Sequence, residues 1–474
     1  MVKIKLNNLK FRYDVYQIAN LFYNSNDIEF LEEGYDFYVL INVETIVCGD
    51  KDCLIEIPIS GNCYIKEILK KTVFKYLYNK TGNELPWGTL VGIRPSKIAL
   101  TLIDNGLSED TIIKYYNEHY LTREDKSKLC IEVAKFEKKV LNSDTNIISI
   151  YIGMPFCPTR CSYCSFTSNS IEGCTSLVEP YLKALKHEIK ILSDYINKKS
   201  LKIQCVYFGG GTPTSINDDA FKDLLEIIYR EFIKGKDVRE FTVECGRADS
   251  ITKRKLESMK KYSVDRISIN PQTMNDETLK LVGRNHSALD VINTYNLARN
   301  MGFNNINMDI IIGLPGERIE NVEKTCEKIL RLNPDNITVH GLSIKRSSKL
   351  HEDLIKNHNT NNLTQIEINS MYKASVLLSK QLNMKPYYIY KQKNMFGNME
   401  NIGYSKKYKE GIYNIQMIEE KQTIIALGAD AVTKVIFKNE NRIERADNVK
   451  DLREYINRID EMISRKINLL NTIY

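Results

Sequence analysis

PFCPTRCSYCSF, residues 155–166, carries three of the eleven cysteines of this 474-residue chain. Cys157, Cys161 and Cys164 stand in a C-x3-C-x2-C array, so three thiolates can reach one metal centre from a single loop. A [4Fe–4S] cluster has four irons, and three cysteine ligands leave one iron free to bind a small molecule. A zinc knuckle, or three incidental thiols, is the competing interpretation. The motifs that follow along the chain favour the cluster.

Strand-like and helix-like segments alternate from Ile147 onward. Residues 177–197, 218–233 and 319–332 have the length and amphipathic pattern of helices. Serial βα units indicate a parallel sheet with helices outside it. The sequence therefore predicts an α/β fold, an incomplete (β/α)6 TIM-like barrel. The predicted strands are residues 148–153, 203–208, 240–245, 266–269, 305–312 and 336–340.

Polar residues and glycines fall where these predicted strands end, which is the end of such a barrel that holds the chemistry. The second strand leads into GGGTPT, residues 209–214, whose glycines let backbone groups approach a ligand closely. Glu244 ends the third strand, and Gln272 follows the fourth. Asp309 lies within the fifth, ahead of Gly313. Each residue alone could merely cap a turn, but together they predict a polar ring at one mouth of the barrel.

Changes of pattern along the chain predict three domains. Residues 1–145 are interpreted as an N-terminal α+β accessory domain, 146–345 as the partial barrel, and 346–474 as a mostly helical extension that covers the substrate. Trp87, the only tryptophan, lies in LPWGTLVGIRPSKIA, residues 85–99. We expect it to be a packing anchor between the first domain and the next.

Composition limits the classes of function. The 67 basic and 60 acidic residues leave a net charge of +7 that is spread along the chain. This excess fits an anionic substrate but not a nucleic-acid-binding patch. The chain has no run of 18 apolar residues and no apolar signal core at its N-terminus, so we expect a cytoplasmic protein without a membrane partner. An odd number of cysteines in a chain of this size indicates free thiols in a reducing compartment.

These motifs resemble those of the oxygen-independent coproporphyrinogen III oxidase/dehydrogenase family of radical S-adenosylmethionine (SAM) proteins, most closely its HemZ-type branch. The resemblance covers nearly the full length of the chain. The cysteine, GGGTPT and GLPGE motifs alone indicate only the wider radical SAM group. Two features favour this branch: LPWGTLVGIRPSKI (85–98) near the N-terminus, and the stretches NIGYSKKYKEGIYNI and EEKQTIIALGADA near the C-terminus. The matching stretches are YIGMPFCPTRCSYCSF (151–166), YFGGGTPT (207–214), FTVECGRADS (241–250), RISINPQTMNDETLKLVGRNHS (266–287), NMDIIIGLPGE (307–317), ITVHGLSIKR (337–346), NIGYSKKYKEGIYNI (401–415) and EEKQTIIALGADA (419–431).

The resemblance implies that three cysteines hold a [4Fe–4S] cluster and that SAM binds its open iron. An arginine can pair with the SAM carboxylate, and acidic groups can accept hydrogen bonds from its ammonium group or ribose hydroxyls. The implied cluster ligands are Cys157, Cys161 and Cys164. The implied SAM-contacting residues are Tyr151, Tyr163, Gly210, Gly211, Thr212, Glu244, Gln272, Arg284, Asp309 and Ser343. Those with an implied catalytic role are Tyr151, Glu244 and Arg284.

The implied reaction is the oxidative decarboxylation of coproporphyrinogen III to protoporphyrinogen IX in anaerobic haem biosynthesis. The cluster and SAM supply the difficult chemistry, while the protein positions a tetrapyrrole substrate and excludes water. We expect an electron donor such as flavodoxin or ferredoxin, and a monomer. The substrate's four propionates need cationic partners. The candidates are Arg247, Lys345 and Arg346, with His286 and His340 near the same mouth.

Two other functions stay open. The first is a haem-binding carrier of the same family, against which the absence of an HNxxYW-like segment and the extra N-terminal domain count. The second is a radical SAM enzyme that acts on haem or on another substrate. A modified RNA base is disfavoured by the scattered charge.

The chain departs from the family pattern at two further positions. Phe166 stands where the better-known branch has a fourth cysteine two positions after the third, so any role of that thiol is absent here. Asp430 stands where a glycine is expected in the family's GAGA-like stretch.

Overall fold

A computed structural model describes most of the chain and divides it into two compact units. The described residues are 1–23, 27–59, 64–92, 94–141, 144–164, 168–343, 348–350, 352, 363–392 and 395–474. The first unit comprises Met1–Lys135, Leu363–Ser370 and Ile389–Asn401, and the second comprises Phe136–Asn362, Met371–Tyr388 and Ile402–Tyr474. The division into three domains stays a prediction.

Strands and helices alternate through the middle of the chain, as the sequence predicts. The strands are β1 (Val2–Leu6), β2 (Ile28–Phe30), β3 (Phe37–Ile41), β4 (Thr45–Gly49), β5 (Leu54–Pro58), β6 (Ile147–Met154), β7 (Phe156–Cys157), β8 (Asn169–Ser170), β9 (Lys202–Gly210), β10 (Glu240–Gly246), β11 (Arg266–Ile269), β12 (Ile306–Ile312), β13 (Asn336–Gly341), β14 (Lys385–Tyr390), β15 (Asn401–Ser405), β16 (Ile424–Leu427), β17 (Val432–Phe437) and β18 (Arg442–Asp447). The helices are α1 (Arg12–Ala19), α2 (Ile65–Thr81), α3 (Ser96–Asp104), α4 (Glu109–Tyr120), α5 (Glu124–Val140), α6 (Thr175–Lys198), α7 (Asp218–Ile228), α8 (Lys253–Lys261), α9 (Asp276–Leu281), α10 (Ala288–Asn300), α11 (Ile319–Leu332), α12 (Gln365–Gln381), α13 (Ile412–Glu419), α14 (Leu452–Asn457) and α15 (Ile459–Leu470).

The first unit contains a sheet in the order β2-β1-β3-β4-β5. β1 pairs in parallel with β2 and β3, and β3, β4 and β5 follow one another as an antiparallel meander. Alternate residues of the strands are buried, for example Ile4 and Val39. Leu69 and Val73 of α2 belong to the same apolar core. Helix α2 ends at Gly82, whose positive φ of 66° suits a glycine at a helix C-terminus.

Trp87 is fully buried within this first unit. Its Nε1 donates to Glu400 Oε2 at 2.7 Å, and Lys126 Nζ donates to Glu400 Oε1 at 2.5 Å. Lys391 Nζ lies over the Trp87 ring, 4.7 Å from the ring centroid, in a cation–π contact. The tryptophan expected to anchor one domain to the next therefore anchors a chain segment 313 positions away within its own unit.

Six parallel strands form the centre of the second unit, in the order β6-β9-β10-β11-β12-β13. Each agrees with its predicted strand to within two residues at either end. The match follows from composition, because strands buried on both faces of a parallel sheet are apolar throughout. All four residues of β11 are buried, for example. The α/β fold with an incomplete TIM-like barrel is confirmed.

The sheet continues beyond these six strands on both sides. β16 adds in parallel to β6 and is followed by antiparallel β17 and β18, while β15 pairs antiparallel with β13. The strand order ends on β14 and β18, so the sheet is open over the described residues. The C-terminal segment, predicted to be mostly helical, thus supplies five described strands as well as helices. These strands provide hydrogen-bonding partners for the two edges of the parallel sheet.

The C-terminal helices attach to the barrel through Glu188, a fully buried carboxylate of α6. Lys466 of α15 pairs with its Oε1. Tyr455 OH and the backbone N–H of Gly428 donate to Oε2 at 2.6 and 2.8 Å, and Asn448 Nδ2 donates to Oε1 at 3.0 Å. Every member of this group lies in the second unit. One buried charge pair and its hydrogen-bonding partners therefore join α6 to residues that lie 240 to 278 positions later in the chain.

Replacing Lys466 by Met should destabilise the second unit by about 3 kcal/mol or more, because the Glu188 carboxylate is then buried without its counter-charge. A Glu188→Gln/Lys466→Met double variant should recover part of the loss. The measurement is the midpoint of urea or thermal unfolding. Lys190 and Asp194 form an exposed pair on the same helix, so Lys190→Met is the matched control and should leave the midpoint unchanged. A Lys466→Met protein as stable as this control would contradict the stabilising role of the Glu188–Lys466 pair.

Candidate active site

The three cysteines lie in the loop that follows β6. Cys157 belongs to β7, which pairs in parallel with β8. The backbone N–H of Ser162 donates to Val282 O at 3.0 Å, and that of Cys164 donates to Cys161 O at 3.1 Å. All three cysteines are half-buried. The loop is therefore held on one side by the end of α9 and folded back on itself by a turn.

The three thiols offer the donor set of an iron–sulfur cluster, although burial opposes the ionisation of Cys157. Burial raises the pKa of Cys157 to about 11, and Cys164 and Cys161 add to the effect. Cysteine ligates as the thiolate, so bound iron would have to offset this cost. An all-sulfur donor set is the one that iron–sulfur clusters take. Among the described residues, no group of three or more His, Cys, Asp or Glu side chains forms a site for a single metal ion. Cluster ligands need not form such a group, because each thiolate of a [4Fe–4S] cluster binds a different iron.

The glycine run after β9 lies directly against the cysteine loop. The backbone N–H of Gly211 donates to Met154 O at 2.6 Å. A Cβ at Gly211 would lie 2.9 Å from Cys157 Sγ, and one at Gly209 would lie 2.6 Å from Glu244 Oε2. Gly210 has a φ of 104°, which L side chains rarely adopt. The glycines thus let this backbone lie against the cysteine loop, and its approach to a ligand stays a prediction.

Thr212 continues the run and contacts the first cysteine. It is buried, its backbone N–H donates to Phe156 O at 2.8 Å, and its Oγ1 lies 3.4 Å from Cys157 Sγ. The threonine hydroxyl favours the thiolate form of the cysteine and so opposes the effect of burial on its pKa.

Two carboxyl groups in the barrel interior titrate differently. Burial raises the pKa of Glu244 to about 7, and the charge of Asp309 adds to this, although Tyr207 OH donates to Glu244 Oε2 at 3.0 Å. Burial also opposes the ionisation of Asp309, but His340 and Asn307 together lower its pKa. His340 Nε2 lies 3.7 Å from Asp309 Oδ2, and Asn307 Nδ2 donates to Oδ1 at 2.7 Å. Glu244 therefore titrates near neutral pH, whereas the neighbouring Asp309 is ionised at that pH.

Gln272 has a buried side-chain oxygen that lacks a partner. Its φ of 65° is left-handed, and its backbone is fixed by a hydrogen bond from its N–H to Asp309 O at 2.9 Å and one from Ile311 N–H to its own carbonyl at 2.9 Å. Within the described residues its Oε1 is buried and accepts no hydrogen bond. An unpaired buried carbonyl costs about 1–3 kcal/mol. The group thus fits a site for a ligand N–H or O–H, as the sequence predicts for this residue.

Three tyrosine rings stack beside these carboxyl groups. The rings of Tyr151 and Tyr207 are 6.3 Å apart with planes 15° apart, and those of Tyr207 and Tyr413 are 4.5 Å apart with planes 20° apart. The sequence predicts Tyr151 but misses the other two. Tyr207 could have been found, because it pairs with Tyr151 in the parallel register of β6 and β9. Tyr413 comes from α13, and nothing in the sequence pattern places it here.

Arg284 and Tyr163, both expected to contact SAM, are brought together. Arg284 Nη1 donates to Tyr163 OH at 3.1 Å, and Nη2 donates to Asn270 O at 2.7 Å. Arg247, expected to face a propionate, is instead buried and forms a bidentate pair with Asp249 at 2.6 and 3.0 Å. A buried guanidinium needs local acceptors, and this carboxylate two residues away supplies them.

The remaining predicted residues are spread more widely. Ser343 lies two residues beyond the end of β13. His340 is within β13 and contacts Asp309, whereas His286 is buried beside Arg284 rather than open at the mouth. Lys345 and Arg346 lie outside the described residues.

Asp430, the departure from the expected glycine, has a φ of 59°. This is the left-handed region, which glycine adopts freely and which Asp tolerates better than most residues. The backbone thus keeps the conformation that a glycine would favour. Phe166, the other departure, lies outside the described residues.

None of the helices that the structure describes combines the length and the apolar character needed to cross a membrane.

Comparison with known proteins identifies the family. The model of the radical SAM superfamily matches residues 151–329. The oxygen-independent coproporphyrinogen-III oxidase-like protein HemZ of Bacillus subtilis is 36% identical over 479 residues, which cover 96% of this chain and 95% of that protein. The haem chaperone HemW of the same organism is 33% identical over 42% of this chain and 51% of that protein.

A solved structure shows the same fold. Coproporphyrinogen III oxidase (HemN) from Escherichia coli, a radical SAM enzyme, matches with a TM-score of 0.55 and 21% identity, over 69% of this chain and 72% of that one. Together with the full-length similarity to HemZ, these matches show that the chain belongs to the HemZ-type branch of the oxygen-independent coproporphyrinogen III oxidase-like family of radical SAM proteins, whose cofactors are a [4Fe–4S] cluster and SAM.

Proposed function

We propose that this protein catalyses the oxidative decarboxylation of coproporphyrinogen III to protoporphyrinogen IX. The observation that carries the proposal is the 36% identity to an oxygen-independent coproporphyrinogen-III oxidase-like protein over 96% of the chain. Similarity of that extent includes the first unit and the C-terminal strands, which the match to the superfamily model at residues 151–329 leaves out.

The cysteine loop and the polar interior of the barrel would hold the two cofactors. Cys157, Cys161 and Cys164 would bind the cluster. Glu244 and Gln272 would accept hydrogen bonds from the polar groups of SAM. Gln272 supports this role because its buried Oε1 has no donor among the described residues, and Glu244 because the glycine run brings backbone groups close to its carboxylate. When bound, the cluster and SAM supply one-electron chemistry that removes a hydrogen atom from a carbon without acidic protons.

The residues of this chain would orient the substrate and control its surroundings. The stacked rings of Tyr151, Tyr207 and Tyr413 form an aromatic wall beside the two interior carboxyl groups. Such a wall excludes water from the reacting carbon. The tetrapyrrole propionates require cationic partners, and Lys345 and Arg346 remain the candidates from the sequence because Arg247 is already paired with Asp249. A flavodoxin or ferredoxin as electron donor, and a monomeric enzyme, belong to the same proposal.

The proposal predicts a defined pair of products under anaerobic conditions. Protein with a reconstituted cluster, given SAM, a reductant and coproporphyrinogen III, should release protoporphyrinogen IX and CO2, measured by chromatography and by gas analysis. Cys161→Ala should abolish both products, because it removes one of three cluster ligands. Release of 5′-deoxyadenosine without any porphyrin product would retain the radical chemistry and reject this substrate.

A haem carrier is the second candidate, because 42% of the chain is 33% identical to a haem chaperone. A haem titration separates the two functions. Tight stoichiometric haem binding together with no decarboxylation in the anaerobic assay would favour the carrier.

Glu244 should make SAM binding depend on pH. Its carboxyl group has a pKa of about 7, raised by burial and by Asp309, and only the ionised form accepts hydrogen bonds on both oxygens. The affinity for SAM should therefore rise as the pH increases from about 6 to 8. Glu244→Gln should remove this dependence and weaken binding by roughly 10-fold or more, since hydrogen bonds to charged groups contribute about 1.5–3 kcal/mol. The measurement is a SAM titration monitored by the electron paramagnetic resonance (EPR) spectrum of the reduced cluster.

Glu317 provides the matched control for this experiment. Its pKa is also raised to about 7 by burial, but its carboxylate accepts from Thr273 Oγ1. Glu317→Gln should leave the pH dependence of SAM binding intact. An unchanged pH dependence in Glu244→Gln would exclude Glu244 as the titrating group.

A further inference from the structure

Four side chains that are not cluster ligands lie around the cysteine loop and contact one another in series: Arg247, Asp249, Arg284 and His286. Two of them follow β10 and two follow α9. All but Asp249 are buried. Each pair has the same spacing of two residues, R-x-D at 247–249 and R-x-H at 284–286. We refer to these four residues as the loop clamp.

The first arm of the loop clamp is Arg247. Its Nη1 donates to the carbonyl of Thr159 at 3.0 Å and to Thr159 Oγ1 at 2.6 Å. Its Nε and Nη2 donate to the carboxylate of Asp249. The Thr159 hydroxyl in turn donates to Gly283 O at 2.9 Å. One threonine of the loop is therefore fixed both by Arg247 and by the backbone next to Arg284.

The second arm is Arg284, which holds Tyr163. Nη1 donates to Tyr163 OH at 3.1 Å, and Nη2 donates to the carbonyls of Asn270 and Gly246 at 2.7 and 3.4 Å. Nε donates to His286 Nε2 at 3.4 Å. Four of the five N–H groups of the guanidinium are thus directed at protein atoms. Arg284 therefore holds the loop, and its remaining N–H is open to a ligand.

Asp249 and His286 connect the two arms. His286 Nε2 accepts from Arg284, and its buried Nδ1 lies 3.5 Å from Asp249 Oδ1, an electrostatic contact without hydrogen-bond geometry. The bidentate Arg247–Asp249 pair completes the chain of contacts. Thr159 and Tyr163 stand two residues before and two residues after Cys161. The loop clamp therefore grips the loop on either side of its middle cysteine.

We propose that the loop clamp is a set of positioning residues that fixes segment 159–163 and thereby orients Cys161 toward the cluster. Residues behind a metal ligand commonly orient it in this way, and their loss typically lowers metal affinity or activity by 10- to 100-fold. The two arginines also place positive charge beside the thiols, and net charge around a cluster is one determinant of its reduction potential. The proposal rests on the cluster and does not depend on the identity of the substrate.

The first test is Asp249→Asn, which keeps the shape of the side chain and removes the charge that joins the arms. We expect a protein with native circular dichroism, an altered EPR spectrum of the reduced cluster, and a 10- to 100-fold slower reductive cleavage of SAM without tetrapyrrole. Asp219→Asn is the matched control, because Asp219 pairs with Arg254 at 2.7 Å on the surface of the same unit. It should match the unaltered protein in all three measurements. An Asp249→Asn protein with unchanged EPR spectrum and SAM cleavage would overturn the proposal.

A second pair of variants tests the loop side and keeps the proposal falsifiable if Asp249→Asn does not fold. Thr159→Val removes the hydroxyl at nearly constant volume, whereas Thr159→Ser keeps it. We expect Thr159→Val to alter the EPR spectrum and slow SAM cleavage, and Thr159→Ser to restore both to within about twofold. Equal behaviour of Val and Ser would overturn the proposal. Because SAM cleavage is measured without tetrapyrrole, failure of the decarboxylation assay leaves this test intact.

Discussion

The backbone pairing of β6 with β9 is the contact on which the rest of the site depends. Its register places Met154 opposite Gly210 and then continues past the strand ends, where Gly211 N–H bonds to Met154 O and Thr212 N–H bonds to Phe156 O. A side chain at Gly211 would approach Phe156 O to 2.6 Å. Glycine is therefore required if the cysteine loop and the backbone that follows β9 are to lie against each other.

The interior of the barrel holds buried polar groups that destabilise the fold unless a ligand forms hydrogen bonds with them. Glu244 is buried with a raised pKa, Gln272 Oε1 has no partner among the described residues, and Asp309 is kept ionised by His340 and Asn307. Buried polar groups of this kind are destabilising unless they are satisfied. Their concentration at one mouth of an otherwise apolar sheet distinguishes a site from a packed core.

Buried charges also hold together segments that are far apart in sequence. Glu188 joins α6 to the C-terminal helices, and Glu400 joins Trp87 and Lys126 in the first unit. In the loop clamp, the partly exposed Asp249 pairs with the buried Arg247 and lies 3.5 Å from His286 Nδ1. Glu188 and Glu400 each accept several donors, which is the condition under which a buried charge is tolerated.

The sequence alone determined the six parallel strands and the polar residues at the strand ends, because apolar runs and glycine runs are local features, and the spacing of Cys157, Cys161 and Cys164 predicts the cluster ligands. It missed Tyr207 and Tyr413, and it assigned Arg247 to the substrate although the structure pairs it with Asp249. It also missed that the C-terminal segment extends the sheet. Only the tertiary structure decided these points, because they depend on which donor meets which acceptor across elements up to hundreds of residues apart.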